Sequence, residues 1–412
     1  MGAQVTGIVF HGIRECLTLK SAALKGARRI SEGDLSILSD AAIAVQDGKI
    51  VWIGPCAQLP RTFQTWTARD LNVRTMTPGW VDAHTHAVFA GSRADEFELR
   101  VHGATYEEIS KRGGGILSTV RATREASVQE LQRAAQAVVD VFVRQGVTTL
   151  EIKSGYGLDA ATESKMLRVA RQLKGPRILT TFLGAHAVPP EFSSVEAYFE
   201  DVISVQLPQI AREGLADRVD IFVDRGYFTL DQAKRLAEAA KALGLDFVVH
   251  SDQLSRSGST LHATQLNALS ADHVVQVEDS DIQTLAGSVT TAVLLPAADF
   301  YIRIPYPKAR EMLDAGVRVA LATDFNPGSS PSQDLAFVGL LARHEMKMSL
   351  AEVIVAFTLG GAYALGLEQS CGSLEVGKQA DFCCYAGSWK DLFYQPGGPI
   401  PAAVFRDGVS LN

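Results

Sequence analysis

Eight short apolar runs, separated by stretches with helical periodicity, constrain the fold of this chain more than any other feature. They fall at 79–84, 147–153, 177–184, 219–224, 246–250, 271–275, 290–295 and 318–323. Strands buried on both faces read as continuous apolar runs, because neither side chain direction meets water. Helical patterns lie between most of them, as at Leu230 to Leu243 and Ala309 to Ala315. The clearest helix follows Ser127, where Glu130 three residues later completes a capping box. Its buried stripe is Leu131, Ala135, Val138, Val139 and Phe142, and Gly146 stops it. Eight β-α units in about 290 residues predict an α/β fold, a (β/α)8 TIM barrel. A doubly wound open sheet is the competing arrangement, but it would not bring the ends of strands 1, 5 and 8 together.

Both ends of the chain have a different texture. Ala41-Ala42-Ile43-Ala44-Val45 leads through Gln46-Asp47-Gly48-Lys49 into Ile50-Val51-Trp52-Ile53-Gly54, which reads as a β-hairpin around an Asp-Gly turn. Short strand patterns return at Gly372 to Phe382 and at Ala403 to Gly408. The expected organisation is a small β domain interrupted by the barrel, with 1–78 and 369–412 forming the former and 79–368 the latter.

A formal net charge of -7 argues against a nucleic-acid or anionic-membrane partner, since both need a basic surface. No apolar run approaches the ~20 residues of a membrane span. The five cysteines, Cys16, Cys56, Cys371, Cys383 and Cys384, follow no disulfide framework and suit a reducing compartment. Met1-Gly2-Ala3-Gln4-Val5-Thr6 matches a myristoylation pattern, yet no polybasic run supports it. A cytoplasmic protein acting on a small molecule is expected.

The polar residues at the strand ends carry the chemistry. Pro78-Gly79-Trp80-Val81-Asp82-Ala83-His84-Thr85-His86 ends in an H-x-H pair, and residues i and i+2 of a strand share a face. His186 follows strand 3, His250 ends strand 5, Asp272-His273 open strand 6 and Asp324 ends strand 8. A lone histidine at a strand end is usually an ordinary rim or core residue. Several at the C-terminal ends of barrel strands, where such folds place their active sites, reverse that reading. Three imidazoles and a carboxylate suit Zn²⁺ or Fe, and water on such an ion becomes a nucleophile near neutral pH.

The Pro78 to His86 stretch resembles the first-strand signature of the amidohydrolase superfamily. Gly372-Ser-Leu-Glu-Val-Gly-Lys-Gln-Ala-Asp381 resembles that superfamily's C-terminal signature. Within it, six motifs are similar to those of the imidazolonepropionase family: Phe89 to Arg93, Gly113 to Arg124, Glu151 to Gly157, Gly184 to Pro190, Ser270 to His273 and Leu321 to Ser330. The resemblance covers nearly the whole chain. It implies a barrel carrying a small β-sandwich built from both chain ends, and one Zn²⁺ or Fe³⁺ per subunit. His84, His86, His250 and Asp324 are the implied ligands. The implied reaction is hydrolysis of the ring C–N bond of 4-imidazolone-5-propanoate to N-formimidoyl-L-glutamate, in histidine degradation. Asp324 and His273 would be catalytic, and Arg93 would pair with the propanoate carboxylate. Tyr156, His186, Asn326, Gly328 and Ser329 match substrate contacts, and a homodimer is usual for the family.

Gln253 departs from the pattern, because many relatives carry Glu three residues after the strand-5 histidine. Glutamine can hydrogen-bond but cannot act as a base, so Gln253 is assigned to substrate or water. Lys153 is expected to be an unmodified ammonium, although some superfamily members carboxylate a lysine to bridge two metals. The Gly113 to Gly115 run is no P-loop, since no Gly-Lys-Ser/Thr follows it. The loop Tyr394 to Pro399 matches no family pattern. The competing reading is a related amidohydrolase acting on another cyclic amide or amidine that carries a carboxylate. A catalytically inactive scaffold is opposed by the retention of all four ligands and His273.

Overall fold

The structure is a computed structural model that describes residues 7–103 and 114–412. The Met1 to Thr6 pattern and Gly113 lie outside the described residues. The N-terminal segment supplies β1 (Ile8–Leu17), β2 (Ile37–Gln46), β3 (Lys49–Pro55) and β4 (Thr67–Pro78). The central strands are β5 (Trp80–Asp82), β6 (Val147–Lys153), β7 (Arg177–Ala185), β8 (Arg218–Val223), β9 (Asp246–Phe247), β10 (Val249–Ser251), β11 (Ser270–His273), β12 (Thr291–Leu294) and β13 (Val319–Leu321). The chain ends with β14 (Phe382–Tyr385), β15 (Ala403–Arg406) and β16 (Val409–Ser410).

The central strands form the expected barrel. Their order is β13-β12-β11-β10-β8-β7-β6-β5, and β9 also pairs with β8, so β9 and β10 occupy one barrel position. Every pairing along this path is parallel. Strand β6 spans the residues read from the sequence, and the other strand ends agree with it to within two residues. The exception is the fifth run, which breaks at Val248 while the Val248 N–H still bonds to the Val219 carbonyl at 3.0 Å. The ring closes just beyond the first and last strands, where Thr85 and Phe325 form a parallel bridge. Among the outer helices, Val128–Arg144 carries the predicted capping box, with Ser127 accepting from the Glu130 N–H.

The terminal strands form one seven-stranded sheet, ordered β16-β15-β14-β4-β1-β2-β3. The β2–β3 hairpin turns on Asp47 (φ 51°) and Gly48 (φ 76°), the left-handed pair that a two-residue turn requires. In a flat sheet β15 and β1 would stand three strand spacings apart, roughly 14 Å. The Phe10 and Phe405 rings are nevertheless 5.2 Å apart, so the sheet curls over itself. Phe10, Ile43, Met76, Phe382 and Phe405 fill the space it encloses, which makes it a sandwich closed at one side.

Sheet and barrel are fastened at several places. The Trp80 indole donates to the Tyr385 hydroxyl at 2.8 Å, and the Tyr394 to Pro399 loop follows Phe393, which is stacked on Phe357 and packs edge-on against Trp80. Arg177 donates to Asp381 at 2.7 Å and to Asp407 at 2.9 Å. Asp381 is almost fully buried, so losing its cation leaves an uncompensated charge. Arg177→Met should therefore lower the unfolding free energy by about 3 kcal/mol. Ser127→Ala should cost only about 1 kcal/mol through the lost cap. Denaturant midpoints of the two variants check this ordering.

Candidate active site

His84, His86 and Asp324 meet at the seam that closes the barrel. The Asp324 N–H bonds to the His84 carbonyl at 3.0 Å, and the His86 N–H bonds to the Phe325 carbonyl at 2.8 Å. Beneath them the Thr323 hydroxyl donates to Asp82 at 2.7 Å. The Asp324 Oδ1 lies 3.4 Å from His84 Nε2 and 3.6 Å from His86 Nε2. Tetrahedral Zn²⁺ with bonds near 2.0–2.1 Å separates its ligand atoms by roughly 3.3–3.5 Å, so these spacings fit an ion. Ligand atoms of His84, His250 and His273 form a second group within 4.8 Å of one another. His84 is common to both groups, and its Nε2 is a buried atom without a hydrogen-bond partner. Unpartnered buried nitrogens are costly unless something else binds them. The expected four ligands are thus adjacent, although together with His273 they fall into two groups of three that share His84 rather than one group of four.

Carboxylates stand behind two of the imidazoles. His84 Nδ1 is 2.6 Å from Asp272 Oδ2, and His250 Nδ1 is 2.9 Å from Asp220 Oδ2. The second contact has ion-pair distance but falls outside hydrogen-bond geometry. Carboxylates in this position fix the ring orientation and the tautomer, leaving the other nitrogen for a metal. Lys153 Nζ in turn touches Glu151, Asp220 and Asp272 at 2.9, 2.9 and 3.4 Å.

Burial first, and then the Lys153 ammonium, pushes His84 well below the ordinary imidazole range. His86 and His273 move the same way, chiefly by burial. Neutral imidazoles are the form that binds metal. Burial also opposes charge on His250, but Asp220 outweighs it and raises that group. Burial lifts the Asp324 carboxyl to about 7, and a cation beside it would bring it back down.

A cavity of about 580 Å³ opens above this cluster, a size suited to a small molecule. Its wall includes all seven residues expected to contact substrate: Arg93, Tyr156, His186, Gln253, Asn326, Gly328 and Ser329. His86, His250, His273 and Asp324 also line it, whereas His84 lies behind the wall. His186 Nδ1 is 3.0 Å from the Gly155 carbonyl, which fixes the proton on that nitrogen and leaves Nε2 free. Its ring stacks on His86, and burial lowers its pKa to about 4. The loop bearing Tyr156 is shaped by the buried Glu163 carboxylate, which accepts from the N–H groups of Gly155, Gly157 and Leu158. Asn326 spends its amide inside its own loop, accepting from the Gly328 and Ser329 N–H groups and donating to the Asp324 carbonyl. Its part is to shape that loop. A Cβ on Gly328 would meet Arg93 Nη1 at 2.2 Å, so a larger residue there would displace the guanidinium.

Sequence reasoning gave no role to Glu96, which accepts from Arg93 Nε at 2.8 Å, from the Gly115 N–H at 3.0 Å and from the Ser118 hydroxyl at 2.8 Å. Its spacing of three from Arg93 on Ala94–Val101 was the available signal. Asp220, Glu151 and Asp272 were equally unassigned. Their signal was a charge inside an otherwise apolar strand. Two of the site's loops also hold non-glycine residues in the left-handed region: His273 (φ 78°) and Val274 (φ 47°) on one, and Asp324 (φ 51°) on the other. Such conformations cost about 1–3 kcal/mol each and persist where the surroundings enforce them.

The comparisons agree with this geometry. The family model described as the amidohydrolase family matches residues 75–410. A Bdellovibrio bacteriovorus protein named imidazolonepropionase is 51% identical over 408 residues, covering 98% of this chain and 96% of the relative. A Shewanella sp. (strain ANA-3) protein of the same name is 46% identical over 355 residues, covering 84% and 87%. Among solved structures, an adenosine deaminase from Xanthomonas campestris with bound zinc aligns with a TM-score of 0.72 at 19% identity, covering 98% of this chain and 92% of the other. An atrazine chlorohydrolase variant from Arthrobacter aurescens TC1, complexed with zinc and atraton, aligns equally well at 17% identity, covering 98% and 94%. At these identities the structures speak to the fold alone. Family model, barrel and full-length relatives together establish that this chain belongs to the amidohydrolase family, in its imidazolonepropionase branch.

Proposed function

We propose that this enzyme hydrolyses the ring C–N bond of 4-imidazolone-5-propanoate to give N-formimidoyl-L-glutamate, a step of histidine degradation, with one Zn²⁺ or Fe³⁺ per subunit. The observation that carries the substrate assignment is a cavity with a guanidinium on its wall and an imidazole–carboxylate cluster at its base. The full-length relatives bearing the imidazolonepropionase name support the reaction. A metal ion held by His84, His86, His250 and Asp324 would supply a water that loses its proton near neutral pH.

The remaining work falls to the chain itself. Arg93 holds the propanoate carboxylate through its Nη groups, because Glu96 already occupies Nε. Tyr156 is buried and feels both Arg93 and Asp324; burial, then Asp324, raises its pKa, so its hydroxyl stays protonated and donates. Asp324 accepts the proton of the attacking water, and His273 steadies the negative charge that develops on the ring carbonyl oxygen. As the C–N bond breaks, the ring nitrogen must gain a proton. Gln253 cannot supply one, which leaves Asp324 as the carboxyl group placed to return it.

Metal analysis of the purified protein followed by ring-opening kinetics tests the assignment. Metal-replete protein that leaves the substrate untouched would overturn it. Asp324→Asn should slow turnover about 10²–10⁴-fold with the fold intact, and near-wild-type kcat would remove this residue from proton transfer. Arg93→Ala should raise KM with little change in kcat, since carboxylate anchoring acts on ground and transition states alike. Glu96→Gln should shift KM in the same direction by less, and an unchanged KM in both variants would contradict the anchoring role.

A further inference from the structure

The ammonium of Lys153 stands at the centre of a buried hub that the hydrolytic roles above leave unused. It is 1% exposed, and the Glu151, Asp220 and Asp272 side chains around it are equally buried. These carboxylates come from three strands, β6, β8 and β11. Each is anchored a second time: Asp272 accepts from the Ser270 hydroxyl at 2.6 Å, Asp220 from the Ile221 N–H at 2.7 Å, and Glu151 from the Thr181 hydroxyl and the Thr85 N–H. Two of the three then reach imidazoles on other strands, Asp272 to His84 and Asp220 to His250.

Three carboxylates repel one another strongly when water is excluded, and one central cation removes that repulsion. Lysine also suits the place chemically. A carbamate on Nζ would add a negative charge to a nest of three, whereas an ammonium offers three donors to three acceptors. Burial works against the charged amine, but the surrounding carboxylates outweigh it and hold it above its ordinary pKa.

We propose that Lys153 is a positioning residue for the metal site: its ammonium pins Asp220 and Asp272, and these carboxylates turn His84 and His250 so that each Nε2 faces the cluster. The inference rests on the metal-site reading of these histidines. It extends that site to a third layer in which one side chain sets two ligands from opposite sides of the barrel. Glu151 completes the device by tying Lys153 back to Thr85, the residue between His84 and His86.

The test uses metal-free protein titrated with Zn²⁺ against a competing chelator, in wild type, Lys153→Met and the double variant Glu151→Gln/Lys153→Met. The double variant keeps the hub at a net charge of -2, since two carboxylates replace three with one ammonium. Both variants should bind Zn²⁺ about 10–100-fold more weakly, the usual cost of losing support behind a ligand. At saturating zinc the double variant should recover turnover with KM unchanged. In ¹⁵N-histidine spectra of the metal-free variants, the Nδ1–H signals of His84 and His250, which face carboxylates in the wild type, should weaken or vanish. A folded double variant that binds Zn²⁺ as tightly as wild type overturns the proposal. So does one that fails to fold, because Lys153 would then serve the core and not the imidazoles. Wild-type protein that takes up no Zn²⁺ would count against the metal-site reading itself, while the Nδ1–H signals would still decide the role of Lys153.

Discussion

The backbone contact between the segments that follow β5 and β13 is where fold and chemistry become the same problem. The Asp324 N–H to His84 carbonyl bond and the His86 N–H to Phe325 carbonyl bond close the ring, and three of the four residues that make them are candidate ligands. A barrel must close to bury its unpaired edges. Here the closing stitches bring two imidazoles and a carboxylate within a few ångströms. Slippage by one residue at this seam would turn the alternating side chains to the opposite face and disperse the site.

Behind the seam lies a layered arrangement of charge. Burial keeps His86 and His273 neutral at the cavity, carboxylates orient the rings of His84 and His250, and Lys153 draws those carboxylates together. Each layer satisfies polar atoms that would otherwise be stranded in an apolar barrel core. The buried Nε2 of His84 has no hydrogen-bond partner among the described residues and faces the Asp324 carboxylate at 3.4 Å, as expected of two atoms that share a ligand.

The barrel was legible in the sequence because parallel strands covered on both faces are compact apolar runs, and Val147–Lys153 coincides with such a run. The split at Val248 was not, since an irregularity within an apolar run leaves the hydrophobic pattern unchanged. The curled sheet could be anticipated only as two strand-rich ends. The parallel pairing of β1 with β4 and the closure of Phe405 onto Phe10 depend on long-range contacts that no local pattern encodes. In the site, motif residues such as Tyr156 and His186 could be placed on the right loops. The reach of Glu96 to Gly115 and the convergence of Asp220 and Asp272 on Lys153 could not, because each joins separate segments of the chain.

The left-handed backbone at His273 and Val274 bears on how such an enzyme can evolve. Asparagine, aspartate and glycine tolerate that region, but a β-branched valine does not adopt it willingly. Its retention at φ 47°, with the Val274 N–H tied to the Ser251 carbonyl at 3.0 Å, stores conformational energy one peptide away from an imidazole at the floor of the cavity. Glycine at 274 would relieve that energy but would also empty a fully buried position of the barrel core, a loss at least as large. Strain and packing are therefore coupled at this position: the buried side chain helps hold the backbone beside the imidazole, and no substitution removes the one without losing the other.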